Sequence, residues 1–233
     1  MQITGIELFH YPCTRSARVK WLLHELVGDA FTVTRVDLYG AEQYHPDYLE
    51  MNPNHNVPMV HITTAKDGII RMLESGAIVQ WFADAFPDKR LAPEPSLSPQ
   101  RADYLQMLYF GASWMDMMLW QIRIHEHILA GPDKDERTIA RYRKKFTTEV
   151  EPQLAARFGK TSFICGDTFS AADCVIGLAV MWAKAYGLCA DQVFDAYIER
   201  LKQRPAFAKA FADQHEFVLA APQDSPLVAV FTG

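Results

Sequence analysis

The chain has 233 residues, with 49% hydrophobic and 22% charged side chains, a formal net charge of −5 and a pI near 5.9. These proportions are those of a globular protein and argue against a disordered or fibrous chain. The acidic balance gives no broad attraction to nucleic acid or to an anionic membrane, so neither is expected as a partner.

The first part of the chain carries the pattern of a mixed α/β domain. Alternating side chains rich in β-branched residues predict a strand over Ile3–Phe9. Apolar residues at helical spacing predict a helix over Arg15–Val27, which Gly28 ends. The later elements are predicted as strands over Thr32–Leu38, Val57–Thr63 and Gly68–Leu73 and a helix over Ser75–Phe86. This βαβ-ββα order requires a sheet covered on both faces, an α/β domain over residues 1–87.

A proline-rich connector separates this domain from a helical second half. Residues 87–99 contain four prolines and no apolar period, which predicts an extended linker over residues 88–98. Helical patterns then predict an all-α domain over residues 99–233. Its helices are expected over Gln100–Leu129, Asp133–Phe158, Ala171–Tyr186, Ala190–Gln203 and from Pro205 onward.

The first of these helices is apolar nearly all round, so a single core-facing stripe cannot bury it. The surplus side chains have to face the other domain, a second subunit or a ligand. Methionine and aromatic side chains suit an adaptable apolar pocket, and we expect Tyr109, Trp114 and Met118 to line one. The same surplus predicts a homodimer.

The third of these helices begins with a capping signal and is strongly apolar. Ser170 is predicted to cap it, and Asp173 is predicted to accept a hydrogen bond from the Ser170 N–H. The run Cys174–Ala183 is much shorter than the roughly 20 residues of a membrane-spanning helix. It therefore predicts a buried core helix.

Cysteine and histidine spacing gives no metal signal. The four cysteines form no Cys-x-x-Cys pair and no zinc-like pattern, and the start of the chain lacks a secretory signal. We expect a reduced, cytoplasmic protein without disulfides or metal. The adjacent His125, Glu126 and His127 point in different directions from a helix and are interpreted as a solvated patch.

Three segments of the first domain stand in a characteristic order. They are Tyr11–Leu26, which begins Tyr-Pro-Cys-Thr-Arg-Ser; Asn52–Pro58, Asn-Pro-Asn-His-Asn-Val-Pro; and Glu74–Ile78, Glu-Ser-Gly-Ala-Ile. Together with Gly166–Asp173 they resemble the motifs of the glutathione transferase superfamily, and the resemblance covers nearly the whole chain. It implies a thioredoxin-like N-terminal domain, the all-helical C-terminal domain of that family, and glutathione as co-substrate.

The resemblance implies how two of these segments hold glutathione. Val57 and Pro58 match the family's cis-proline segment, in which the Val57 backbone turns outward and pairs with an extended peptide. Ser75 is expected to cap the following helix, whose free N–H groups face a ligand carboxylate. Glu74 is expected to pair with the α-amino group of glutathione.

The remaining contacts are less specified. Arg15 is a candidate for a ligand carboxylate, with a loop-fixing or solvated role as the alternative. His45, His55 and Asn56 are candidates for the glycine carboxylate of glutathione. His55 and Asn56 depart from the family's common glycine and its common lysine or glutamine.

Glutathione reacts through its thiolate, so the protein has to lower the pKa of a thiol that is ordinarily about 8.5. The resemblance places the responsible residue in the loop before the first helix, as Cys13 or Thr14, with Tyr11 as a third candidate. A Thr14 hydroxyl supports conjugation, whereas Cys13 supports thiol transfer through a mixed disulfide.

These inferences converge on a glutathione transferase that activates the thiol of glutathione for attack on a small hydrophobic electrophile. Two alternatives remain open at this point. One is a glutathione-dependent thiol transferase or reductase that uses Cys13. The other is a noncatalytic binding or regulatory protein of the same fold.

Overall fold

The structure is a computed structural model that describes residues 3–66, 68–129 and 131–220, with side chains described as far as Phe217. No helix within those ranges is long and apolar enough to cross a membrane.

The N-terminal part is built on a four-stranded sheet. Its strands are β1 (Ile3–His10), β2 (Thr32–Arg35), β3 (Met59–Thr64) and β4 (Gly68–Leu73). They lie in the order β2-β1-β3-β4; β1 pairs in parallel with β2 and antiparallel with β3, which pairs antiparallel with β4. A parallel pair needs a crossover connection, and α1 (Ser16–Val27) supplies it. The predicted βαβ-ββα order and thioredoxin-like sheet are confirmed.

The bounds differ from the predictions where loops approach the site. The predicted cis peptide bond between Val57 and Pro58 is present, and β3 begins one residue after it because proline offers no N–H to a strand pair. A short helix, α2 (Pro46–Met51), occupies the β2–β3 connection, and α3 (Ser75–Ala85) follows β4. The sequence did not predict α2.

The predicted all-helical second part is confirmed. Its α-helices are α4 (Pro99–Tyr109), α5 (Asp116–Arg123), α6 (Glu136–Lys145), α7 (Glu151–Phe158), α8 (Ala171–Ala185), α9 (Gln192–Lys202), α10 (Pro205–Ala210) and α11 (Gln214–Ala220). Three π-helical segments, Phe110–Met115, Ile124–Ile128 and Phe146–Val150, join or extend these helices. Helix α4, the first two segments and α5 therefore form one rod over residues 99–128.

One hydrophobic core runs through both parts. Helix α8 is buried from Ala171 to Ala183, as predicted for its apolar run. Trp21 of α1 is fully buried and meets the rings of Phe207 and Phe169 at 5.1 and 5.5 Å between centroids. Gly111 lies so close to α8 that a Cβ there would stand 2.7 Å from Ile176 Cδ1. The sheet and the helices thus hold fixed positions on either side of the site.

The predicted capping box at the start of α8 is present. Asp173 Oδ2 accepts from the N–H and hydroxyl of Ser170 at 2.9 and 3.0 Å. Its Oδ1 accepts from the Ile164 N–H and the Tyr197 hydroxyl, both at 2.9 Å. This buried carboxylate therefore joins the helix start to the preceding loop and to α9.

Candidate active site

Two adjoining cavities open between the sheet part and the helical part. The larger encloses about 730 Å³ and the smaller about 500 Å³. Their walls share Arg15, Asn56 and Val57. A ligand that extends along Val57 therefore reaches both.

The smaller cavity is built around the start of α3. The N–H of Ile78 donates to the Glu74 carbonyl at 3.0 Å, so the N–H groups of Ser75, Gly76 and Ala77 precede the first intrahelical bond. All three residues line the cavity, as does Glu74, whose carboxylate forms no ion pair within the described residues. Free N–H donors, which suit an anionic group, and a carboxylate, which suits a cationic group, thus lie side by side.

The prediction that Ser75 caps α3 is wrong. Glu74 takes the N-cap position in a left-handed conformation (φ 67°), without a side-chain cap, and Ser75 is the first residue of the helix. The Ser75 hydroxyl instead accepts from Arg18 Nη1 at 3.1 Å.

A buried carboxylate bridges the two parts of the chain at this cavity. Asp116 accepts from Arg18 Nη2 at 2.6 Å and from Arg15 Nε at 2.8 Å. Burial would raise the pKa of Asp116, but the two guanidinium groups hold it below its ordinary value. Arg15 also lies over the rings of Trp120 and Trp182, at 4.9 and 5.4 Å. Its side chain is therefore held in place rather than solvated.

The segment before β3 presents free backbone groups to both cavities. The Asn56 carbonyl accepts hydrogen bonds from the Tyr48 hydroxyl at 2.6 Å and from Asn52 Nδ2 at 2.7 Å. Val57 forms none of the backbone hydrogen bonds found among the described residues outside the helices and strands. Its N–H and C=O are thus available to an extended peptide.

Of the three residues predicted to contact the glycine carboxylate of glutathione, the structure brings only two together. His55 and Asn56 line the larger cavity, and so do Gln43 and Asn54, which the sequence analysis did not single out. His45 is exposed and lines neither cavity, because it ends the preceding turn and starts α2.

A chain of short hydrogen bonds runs inward from the loop before α1. The Thr14 hydroxyl lies 2.8 Å from the Tyr11 carbonyl and 2.8 Å from Ser16 Oγ. Ser16 Oγ lies 2.7 Å from His10 Nδ1, and His10 Nε2 lies 3.1 Å from Asp213 Oδ2. Thr14 lines the larger cavity. Its position is therefore fixed by a buried network that reaches the loop after α10.

The inner end of this network is polar and buried. Burial lowers the pKa of His10, against the opposing effect of Asp213. Burial opposes ionisation of Asp213 as well, but His10 and Lys20, whose Nζ lies 2.5 Å away, lower the pKa of this carboxyl to about 2. A neutral His10 bonded through Nε2–H to Asp213 leaves Nδ1 free to accept from Ser16.

The three candidate thiol-activating residues lie in one wall but in different environments. Tyr11, Cys13 and Thr14 all line the larger cavity. Burial raises the pKa of the Cys13 thiol well above its ordinary value, so this thiol is neutral at physiological pH. Burial likewise raises the pKa of Tyr11 to about 12. Thr14 is half-buried, whereas Tyr11 and Cys13 are buried.

The predicted apolar wall is made by other residues than those expected. Met118 is fully buried in the core, and Trp114 lies outside both cavities with Lys145 over its ring. Tyr109 lines the smaller cavity, and its hydroxyl donates a hydrogen bond to Gln80 Oε1. The far wall of the larger cavity consists instead of Trp120, Arg123, His127, Ile128, Leu178 and Trp182.

The interpretation of residues 125–127 as a solvated patch is also wrong. His127 lines the cavity, and Glu126 pairs with Arg143 through Nε at 3.0 Å and Nη2 at 2.6 Å. The π-helical segment that carries these residues turns His127 inward.

Comparison with known proteins gives one consistent similarity. Residues 4–84 match the family model described as "Glutathione S-transferase, N-terminal domain". The chain is 27% identical over 214 residues to glutathione S-transferase GstA of Escherichia coli O157:H7, covering 89% of this chain and 98% of that one. It is 26% identical over 209 residues to the disulfide-bond oxidoreductase YfcG of Escherichia coli K12, covering 88% and 94%.

Solved structures share the fold over the same length. The glutathione transferase URE2P6 of Phanerochaete chrysosporium, determined with oxidized glutathione, superposes with a TM-score of 0.78 at 24% identity and covers 91% of this chain and 97% of its own. Residues 4–84 thus match the N-terminal domain of glutathione S-transferases, and the chain as a whole is similar to proteins of that superfamily in sequence and in fold.

Proposed function

We propose that the protein is a glutathione transferase that binds glutathione along Val57, across both cavities, and uses its thiolate to attack a small electrophile in the larger one. The observation that carries this proposal is the shared wall of the cavities. It joins an amino-acid-binding corner at Glu74 and Ser75 to the hydroxyl of Thr14.

The smaller cavity suits the γ-glutamyl end of glutathione. Its α-carboxylate can accept from the free N–H groups at the start of α3, where the helix dipole also favours a negative charge. Its ammonium group can pair with the Glu74 carboxylate. The free N–H and C=O of Val57 then pair with the cysteinyl residue, which places the sulfur at the junction of the cavities.

Thr14 is our choice for the residue that stabilises the thiolate. Lowering a thiol pKa by two units requires about 2.7 kcal/mol. A hydrogen bond to a charged group supplies about 1.5–3 kcal/mol, and a helix N-terminus up to about 2 kcal/mol. The Thr14 hydroxyl can supply the hydrogen bond by rotating away from the Tyr11 carbonyl.

The chemistry is a displacement or an addition. In a displacement the sulfur lone pair forms the new bond, the leaving group departs with the electrons of the broken bond, and the thiol proton passes to solvent. In an addition the sulfur lone pair forms the new bond, a π bond breaks, and its electron pair takes up a proton from solvent in place of the one the thiol released. The same thiolate attacks an electrophilic carbon or a sulfur atom of a disulfide. The raised pKa of Cys13 argues against a mixed disulfide on the protein in either case.

Replacing Thr14 with alanine tests this assignment. We expect the pKa of bound glutathione to rise by about 1–2 units, because the charged sulfur loses a hydrogen bond worth about 1.5–3 kcal/mol. The measurement is thiolate absorbance against pH in the saturated complex, with turnover of 4-nitrobenzyl chloride and of a small dialkyl disulfide. Thr14→Ser should keep most of the wild-type behaviour.

Two control variants separate the alternatives. Cys13→Ala and Tyr11→Phe should leave the bound thiol's pKa within about 0.5 unit, which is less than one lost charged hydrogen bond. Loss of disulfide turnover in Cys13→Ala alone would overturn the assignment in favour of thiol transfer. A wild-type protein that binds no glutathione by calorimetry would favour a noncatalytic role.

We also propose a homodimer. Large apolar side chains remain exposed on β4 and along the 99–128 rod, namely Ile69 (64%), Tyr109 (46%) and Trp114 (38%). Light scattering during size exclusion should give a mass near twice 26.5 kDa. A monomer at micromolar concentration would contradict the proposal.

A further inference from the structure

The larger cavity has an unbalanced charge. Arg15, Arg123, His55 and His127 line it, and no aspartate or glutamate is among the described residues that do so. Arg15 is already paired with Asp116, whose oxygen lies 2.6 Å from Nη2. The far wall therefore carries positive charge without a partner in the wall itself.

Arg123 carries the positive charge of this wall. It forms no ion pair with any carboxylate in the described part of the chain, and its Nη1 is buried without a hydrogen bond there. The nearest acid of its own helical rod, Glu126, is occupied by two nitrogens of Arg143. The side chain as a whole is half-buried and lines the cavity, so a guanidinium group without a carboxylate partner faces the occupant, and this position favours an anionic ligand.

Further donors surround Arg123. Trp182 Nε1, the Tyr186 hydroxyl and both ring nitrogens of His127 are buried without a hydrogen bond among the described residues. His127 Nε2 lies 3.4 Å from Glu126 Oε2, which is an ionic contact only when the ring is protonated. Burial raises the pKa of Tyr186, and Arg123 and Trp182, which lie within reach of its hydroxyl, oppose the rise. Trp182 and His127 line the cavity with Arg123, whereas Tyr186 does not, so Trp182 Nε1 and a ring nitrogen of His127 are the further donors that acceptor oxygens of an occupant can satisfy.

The rest of the wall is apolar. Leu38, Ile128 and Leu178 line the cavity beside the two indoles, and Trp120 is 37% exposed. An occupant that fits this wall has a flat or aliphatic body and one acidic end. A purely hydrophobic electrophile would leave Arg123 without an anionic partner.

We propose that the second substrate is an apolar electrophile bearing a carboxylate, or an anionic group of like geometry, which Arg123 binds together with Trp182 Nε1 and His127. This rests on the proposed function, in which the cavity holds the electrophile. Arg123 is a substrate-binding residue that holds the acidic end while the opposite end faces the glutathione sulfur at Thr14.

The test compares 4-(chloromethyl)benzoate with its methyl ester. In both, glutathione sulfur bonds to the benzylic carbon, chloride leaves with the C–Cl electron pair and the thiol proton passes to solvent. We expect Arg123→Met to lower kcat/KM for the carboxylate by about 10- to 100-fold and to change that for the ester by less than about 3-fold. Arg141→Met, an exposed arginine of α6 outside both cavities, should change neither.

A binding measurement keeps the inference separate from the proposed function. Unreactive 4-methylbenzoate, followed by calorimetry in the absence of glutathione, should bind the wild type at least about 10-fold more tightly than Arg123→Met or Arg123→Gln. If this holds while glutathione fails to bind, the anion site stands and the transferase proposal falls. Equal losses for carboxylate and ester in both folded variants would overturn the inference. So would a raised KM for glutathione alone, since Arg123 would then hold the glycine carboxylate of glutathione.

Discussion

Replacing Asp116 with alanine should destabilise the protein by about 3–5 kcal/mol. The change leaves the guanidinium of Arg18, whose side chain is 0% exposed, without its charged partner. The Ser75 hydroxyl is then the remaining hydrogen-bond partner of Arg18 among the described side chains. Removing one member of a buried ion pair costs that much because an uncompensated charge is left in the interior.

Chemical denaturation with urea measures this loss, and an exposed ion pair provides the control. Asp103→Ala removes the partner of Arg157. The Asp103 side chain is 38% exposed and that of Arg157 is 29% exposed, so this loss should cost about 0–1 kcal/mol. Arg18→Met combined with Asp116→Leu should recover much of the loss, since a well-packed apolar pair replaces the buried ions. Equal costs for Asp116→Ala and Asp103→Ala would show that the buried pair contributes nothing beyond a surface pair.

Replacing Asp173 with alanine should cost about 3 kcal/mol or more, because four buried donors lose their acceptor at once. They are the backbone N–H groups of Ile164 and Ser170 and the hydroxyls of Ser170 and Tyr197. Helix α8 is the centre of the helical part, so the protein should unfold at a lower temperature and at a lower urea concentration.

Thermal and urea unfolding of Asp173→Ala and Asp167→Ala test this prediction. Asp167 accepts one hydrogen bond, from the exposed Ser162 N–H at 2.9 Å, and its loss should cost about 0.5–1.5 kcal/mol. Asp173→Asn should lie between the two, because the amide oxygen keeps some of the donors while its NH₂ faces the others. An Asp173→Ala protein as stable as Asp167→Ala would contradict the proposed role of this network.

The fold and the two segments that line the smaller cavity were predictable because their signals are local. Val57-Pro58 and Glu74-Ser75 combine residue types with narrow conformational preferences at the ends of strands, and the structure brings both to one place. The cap position was misjudged by one residue, since the left-handed backbone of Glu74 starts the helix earlier than a serine cap would.

The far wall was not predictable from a helical period. A π-helical segment closes its hydrogen bonds one residue later than an α-helix, so every residue beyond it is rotated to another face. Phe110–Met115 therefore turns Trp120 and Arg123 toward the cavity, while Met118 enters the core. The unpaired state of Arg123 depends on which acids lie nearby in space, which one sequence does not reveal.

The lack of acidic side chains in the described lining of the larger cavity also bears on how fast a ligand arrives. The chain as a whole carries a charge of −5, which repels an anion at long range. At about 0.1 M salt, however, screening confines such fields to about 10 Å. An approaching anion then responds to Arg123 in the cavity wall and not to acids on the remote surface. Capture is governed by the charge of the cavity wall, and added salt slows it even though ligand and protein carry the same sign.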